Sequence, residues 1–351
     1  MKYNQLGRTG MFVSELCLGT MTLGGIANAG KWSAIGAVGQ EEANQLIAEA
    51  LAGGINFIDT ADIYSFGQSE HITGVALKEL GIKRSDIFLA TKTGGVMGSG
   101  PNDKGASRGH IMDSVQRSLE RLQVNHIDLF QIHVSDPVTP IEETMRALDD
   151  LTRQGLVRYV GVSNWSAGRL GKSLGLSEAL KATRFETLQA YYSIAGRDVE
   201  RELVPLVREE KMGLLVWSPL AGGLLSGKFG PGAAAESDAR RSQFDFPPVD
   251  RDLAWKCLDA MRAIAEKRTV SVSRIALAWL LAKPDVTSVI IGVKRLAQLR
   301  DNLLATDIIL TDEELTILDA VSSMPPHYPA WMIEVQDAER YPKSFTANIP
   351  N

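Results

Sequence analysis

Four residues of this chain have side chains that move protons, and each stands at or just past the end of a short apolar run: Asp59 and Tyr64 in NFIDTADIY, Lys92 in IFLATK, and His133 after IDLFQI. A free tyrosine has a pKa of about 10 and is a poor acid at neutral pH. An ammonium beside it stabilises the phenolate and lowers that pKa. Lys92 can supply the charge, Asp59 can hold Lys92 protonated and in place, and His133 can hydrogen-bond and orient a substrate oxygen. A tyrosine tuned in this way is a general acid or base, and the chemistry it suits is proton donation to a carbonyl oxygen. None of the four can carry two electrons, so the reading requires a hydride donor from outside the protein. Taken singly, each residue has an ordinary explanation: a turn aspartate, a loop-packing tyrosine, a solvated lysine, a satisfied core histidine. Four of them converging on one end of adjacent strands make coincidence the weaker account.

The elements that must position them follow from periodicity. Short strands are expected at Leu16–Gly19, Ile55–Asp59, Ile87–Thr91, Ile127–Ile132, Arg158–Val162, Phe185–Tyr191, Leu214–Trp217 and Val286–Ile291, from their apolar, β-rich character. Between them lie helical patterns, among them Gln40–Ala52, Glu70–Leu80, Gly109–Leu122, Pro140–Arg153 and Val199–Glu210. Ser69 and Glu70 read as the cap and first-turn acid of the second helix. Eight strands alternating with helices predict an α/β fold, a (β/α)8 barrel with its active site at the C-terminal strand ends. A doubly wound open sheet would call for GxGxxG after an early strand, and the first strand leads instead into GTMTLGG. The expected organisation is one domain over residues 1–351, with an N-terminal hairpin at 1–13, extra C-terminal helices, and an irregular tail from 325 to 351. The stretch Ala221–Asp250, rich in Gly, Ala, Pro and Ser, is too long for a simple connection and is expected to close over the site.

With 44% apolar and 23% charged residues, the 351-residue chain has an ordinary globular composition. Its net charge of −5 gives no footprint for nucleic acid or an acidic membrane. Cys17 and Cys257 are far apart in sequence in apolar surroundings, with no CxxC, and read as reduced core thiols. No stretch approaches the ~20 apolar residues of a membrane span, and MKYNQLGRTG is no signal peptide. The expected location is the cytoplasm. The five histidines form no HxxxH or His/Cys cluster, so no metal is expected.

The sequence resembles the aldo-keto reductases from LGRTG at Leu6 to about Val321. The motifs are LCLGTM from Leu16, NFIDTADIY from Asn56, ATK from Ala90, GVSNW from Gly161 and WSPLAGGLLSGK from Trp217. The resemblance implies that Asp59, Tyr64, Lys92 and His133 are a catalytic tetrad. It implies NADPH as cofactor, extended over the barrel mouth without a Rossmann fold, and a small-molecule carbonyl substrate. Thr20, Met21 and Asp59 would lie at the nicotinamide end. Ser163, Asn164 and Gln189 would bind the carboxamide, and Trp217 would stack on the ring. Ser218, Pro219, Leu220, Gly222 and Lys228 would follow the pyrophosphate, and Gly292, Lys294, Gln298 and Asn302 the adenosine end, where Lys294 and Arg295 favour a 2′-phosphate. The loops carrying Trp32 and Met97, and the tail with Tyr328 and Trp331, are expected to wall the substrate pocket. Some relatives serve ion channels as nicotinamide-binding subunits with little turnover and a changed residue at the histidine position. His133 favours an enzyme over that alternative.

Overall fold

The computed structural model describes residues 1–25, 31–230, 241 and 244–340. Two short strands, β1 (Tyr3–Gln5) and β2 (Phe12–Ser14), form an antiparallel hairpin. The barrel strands are β3 (Leu16–Gly19), β4 (Phe57–Asp59), β5 (Phe88–Thr93), β6 (Ile127–Ile132), β7 (Val157–Ser163), β8 (Phe185–Tyr191), β9 (Gly213–Trp217) and β10 (Val286–Gly292). They close in sequence order, β10 pairing with β3, and every neighbour is parallel. The expected (β/α)8 barrel is therefore the fold.

Successive side chains of a strand face opposite ways, and this sorts the barrel into two cores. The outward residues, such as Ile58, Leu89, Phe130, Val160, Leu188 and Val216, join the surrounding helices in one large apolar layer. The inward residues at the lower end of the strands form a second cluster: Cys17, Phe57, Phe88, Ala90, Leu129, Leu215 and Ile290. Leu6 and Val13 of the hairpin complete this cluster and floor the barrel. The hairpin turn presses on the barrel at Gly7, where φ is +55° and a Cβ would lie 2.4 Å from the Glu186 carbonyl oxygen. Only glycine meets both conditions. One step up each strand, the inward positions turn polar: Asp59 two residues after Phe57, Lys92 after Ala90, Gln131 after Leu129. In register, Asp59 pairs with Ala90 and Lys92 with Gln131.

Helices begin where short polar side chains take up free N–H groups. Ser107 accepts from His110 at the start of Arg108–Leu122, Ser166 from Arg169 at Ala167–Leu180, and Thr311 from Glu314 at Asp312–Val321. Ser69 departs from expectation. Helix Gln68–Glu79 is preceded by left-handed Gly67, and Ser69 lies inside its first turn. Its buried hydroxyl donates to the Thr20 carbonyl at 2.7 Å and meets the Thr20 hydroxyl at 2.8 Å, tying the end of β3 to the helix. Residues Tyr64–Gly67 form a tight 3-10 turn with Ser65 and Phe66 at positive φ, and the helix starts directly after it at Gln68, two residues upstream of the expected start. The tail also differs from the irregular segment expected: Ala330–Arg340 is a helix. AWMIEVQDAER contains no Gly or Pro after Pro329, so nothing in it breaks a helix. Residues 341–351 lie outside the described part. Cys17 and Cys257 are buried and free. Among the described residues no helix is long and apolar enough to cross a membrane.

Candidate active site

The four proton-moving residues meet at the C-terminal end of the barrel, as the strand-end argument requires. Lys92 lies inside β5 rather than after it and is fully buried. Its ammonium donates to Asp59 Oδ2 at 2.5 Å, to the Thr60 carbonyl at 2.8 Å and to Tyr64 Oη at 3.3 Å. All three ammonium donors are thus placed, one of them on the phenol. Burial alone pulls the lysine pKa down, but the Asp59 charge and the Tyr64 oxygen more than reverse this, and Lys92 is held above the ordinary lysine value. The cation is therefore permanent at physiological pH. The Tyr64 ring stands edge-on to the His133 ring, 5.7 Å between centroids at 80°. The His133 backbone N–H donates to the Thr93 carbonyl at 2.8 Å, fixing it one residue beyond β6.

Asp59 is fixed from its other side. Its Oδ1 accepts from Gln189 at 2.9 Å and from Gln131 at 3.2 Å, and Gln189 also reaches Gln131 at 3.4 Å. Gln131 is fully buried and was not among the residues expected from sequence. The signal was available: it is a lone amide in the apolar run IDLFQI, two residues before His133 and so on the same strand face. Gln189 differs from its expected part, since its amide nitrogen serves Asp59 beneath the mouth and only its amide oxygen is left for a carboxamide.

The remaining expected contacts divide in the same way. Thr20 is fully buried; its N–H and hydroxyl bond the Asp59 carbonyl at 3.0 and 3.2 Å, so the side chain positions Asp59 rather than facing the mouth. Met21 packs against the cluster of Trp32, Ile35, Ala61 and Tyr64. Asn164, at positive φ, donates to the His133 carbonyl at 3.1 Å and to Ser163 Oγ at 2.9 Å, and accepts from the Trp217 indole at 3.1 Å. This one exposed amide fastens three strand ends together at the place where a carboxamide would lie.

Past Trp217 the backbone is left-handed at Ser218, Ala221, Gly222 and Gly223, and the Gly222 N–H donates to Ser218 Oγ at 3.0 Å. Positive φ at Ser218 and Ala221 is strained for non-glycine residues and is found at functional turns. Such turns aim N–H groups into one concavity, which fits a pyrophosphate. Pro219 and Leu220 run through this turn, and Lys228 is exposed beyond it. At the far side Gly292 is exposed, and Gln298 Oε1 accepts from the N–H groups of Lys294 and Arg295 at 3.0 and 3.2 Å. Gln298 thus shapes the 294–295 turn. Lys294 Nζ donates to the Ala34 carbonyl at 3.2 Å. Asn302 is buried. Asp301 pairs with Arg274 at 2.7 Å and so does not oppose a phosphate.

Of the expected pocket walls, Trp32 is in place, 6.1 Å from the Tyr64 ring. Met97 is half-buried in the loop after β5. Tyr328 and Trp331 are exposed, and the ring contact of each is with the other, 6.1 Å apart. Within Ala221–Asp250, residues 231–240 and 242–243 lie outside the described residues, and the expected closing segment is partly theirs. Next to the tetrad, Asp62 is buried against the helix side of β5. Burial and then the Glu70 charge push its carboxyl up to about 7. Glu70 is itself held by Arg121 at 2.6 Å and by Thr91 at 2.5 Å.

Comparison with known proteins agrees with this arrangement. The chain is 35% identical over 339 residues to a protein of Arabidopsis thaliana named a probable voltage-gated potassium channel subunit beta, covering 94% of this chain and 99% of that one. It is 36% identical over 343 residues to an uncharacterized oxidoreductase, YrpG, of Bacillus subtilis, covering 94% and 100%. To an aldo-keto reductase of Fusarium vanettenii it is 32% identical over 346 residues, covering 92% of each. The pattern of the aldo/keto reductase family matches residues 15–323, from the first barrel strand to the last helix packed on it. A closed parallel barrel, a buried lysine shared between an aspartate and a tyrosine at its mouth, and a family match over nearly the whole chain converge: this protein belongs to the aldo/keto reductase family of oxidoreductases.

Proposed function

We infer that the protein reduces an aldehyde or ketone to an alcohol, using NADPH. The observation that supports this best is the buried Lys92 ammonium, 2.5 Å from Asp59 and 3.3 Å from the Tyr64 hydroxyl. Bound nicotinamide supplies the hydride. Tyr64 gives its proton to the carbonyl oxygen, and the phenolate left behind is stabilised by the adjacent cation. Asp59 keeps Lys92 charged and aimed; Gln131 and Gln189 keep Asp59 from turning away. His133, edge-on to Tyr64, donates to the same oxygen on this reading and aligns it for attack. Asn164, Ser163 and the Gln189 oxygen suit a carboxamide, and the left-handed turn after Trp217 suits the pyrophosphate. Lys294 and Arg295, ahead of helix Leu296–Leu303, suit a 2′-phosphate at a helix N-terminus.

A second reading has support from two relatives named potassium channel subunits beta: a nicotinamide-binding regulatory subunit with little turnover. The complete tetrad, His133 included, favours the enzyme. NADPH oxidation measured against a panel of aldehydes, ketones and sugar-like carbonyls decides between them. Turnover with at least one class is expected; tight NADPH binding without turnover on any would favour the regulatory subunit.

A further inference from the structure

The described part of the stretch after β9 includes a short strap, Arg241 and 244–247, that crosses the barrel mouth. Arg241 is 6% exposed. Its guanidinium donates to the Ala221 carbonyl and to the Pro247 carbonyl, the latter at 2.7 Å, and pairs with Asp245 at 2.9 Å. The strap is thereby closed on itself and fastened to the turn that follows Trp217. It lies so near that turn that a Cβ on Gly222 would be 2.4 Å from the Phe246 carbonyl oxygen. Fastened there, Phe246 lies parallel to Trp217, 5.8 Å between centroids and 5° between planes. Phe244 follows at 5.6 Å from Phe246 and packs on the cluster that holds Trp32 and Tyr64. A continuous arc of rings therefore runs from Trp217, on the cofactor side, to the proton-donating Tyr64.

From this geometry we propose that Phe244 and Phe246, held by Arg241, form a wall of the substrate pocket and select flat, apolar carbonyl compounds, aryl aldehydes above all, over polyhydroxylated ones. This rests on the reductase reading and adds its substrate class. A carbonyl oxygen that reaches the Tyr64 hydroxyl brings the rest of its molecule against these rings. Aryl groups gain offset or edge contacts there. Hydroxyl groups lose water and find no donor or acceptor on a ring face, which costs binding. Among the described strap residues the cation, Arg241, is turned inward to carbonyls and Asp245, so it does not rescue them.

The test compares 4-nitrobenzaldehyde with glyceraldehyde in the wild type, Phe244→Ala and Arg241→Met. The wild type is expected to prefer the aryl aldehyde, and both variants to lower the ratio of the two kcat/KM values about tenfold, through KM of the aryl substrate. A wild type that prefers glyceraldehyde, or variants that leave the ratio unchanged, would overturn the proposal. A second measurement needs no turnover: quenching of tryptophan fluorescence by 4-nitrobenzyl alcohol, expected to saturate in the wild type and to weaken about tenfold in Phe244→Ala. Absence of saturable quenching in the wild type overturns the pocket. Saturable quenching that Phe244→Ala weakens, with neither aldehyde reduced, keeps the pocket and overturns the reductase reading instead.

Discussion

Replacing Lys92 by Met removes a buried cation without opening a large cavity, and its effect on rate can be worked from one distance. At 3.3 Å, with an effective dielectric of about 20, an ammonium and a full phenolate attract by about 5 kcal/mol. With the proton roughly half transferred in the transition state, about half of that is felt, or ~2.5 kcal/mol, which is on the order of 10²-fold in turnover. The same change leaves Asp59 buried without its partner. Breaking such a pair costs about 3–5 kcal/mol, and the donors from Gln131 and Gln189 bring the expected loss to the low end. Single-turnover NADPH oxidation reads the first effect, and urea unfolding at neutral pH reads the second. Adding Asp59→Asn should restore most of the stability and none of the rate. Turnover within a few-fold of wild type, or stability unchanged from wild type, would refute the shared-lysine mechanism.

Tyr64→Phe should cut turnover by roughly 10²–10⁴-fold, as loss of a general acid does, while NADPH affinity measured by fluorescence stays within a few-fold. NADPH should bind more tightly than NADH by at least tens of fold, because each charge-assisted contact to the 2′-phosphate contributes ~1.5–3 kcal/mol; Kd values for Lys294→Ala and Arg295→Ala should show that gap narrowed, and equal wild-type affinities would show both cations to be ordinary surface groups. Asp62, raised by burial and by Glu70 to about 7, stabilises the fold below the ordinary carboxylate range and loses that contribution as pH rises through about 7. Asp62→Asn should therefore flatten the fall in stability between acid and mildly alkaline pH, read by denaturant midpoints, and an unchanged slope would count against the assignment.

The barrel and its tetrad were legible because both rest on local rules. Apolar runs of strand length recur eight times, and a residue ending such a run has one place to go in a closed parallel barrel. What the sequence did not display was the use to which neighbouring polar groups are put. Thr20, Gln189 and Gln298 have side chains that suit a cofactor, yet they bond Asp59 or their own turn, because a buried donor or acceptor takes the nearest partner on folding. Gln131 passed unnoticed for the same reason: its role depends on Asp59 and Gln189, 72 and 58 residues away. Ser69 looked like a cap because Ser before a helical pattern usually is one, and only the left-handed turn at Ser65–Gly67 brings the helix start to Gln68, ahead of it. Arg241 passed unnoticed because two of its partners, Ala221 and Pro247, are backbone carbonyls that carry no side-chain signature, and its pairing with Asp245 reads as an ordinary surface ion pair.

The hairpin floor bears on how protons travel. Leu6 and Val13 close the lower end over an apolar layer that includes Phe57, Phe88 and Leu129, and above it Lys92 has no surface open to water. This apolar layer closes the lower end. On the reductase reading, a phenol that has given up its proton is recharged from the mouth, the doorway by which the alcohol departs. Recharging then waits on departure, and the resting, protonated Tyr64 returns only to an emptied pocket. On that reading each catalytic round is kept in order by a six-residue turn, residues 6–11, at the opposite end of the molecule from the chemistry.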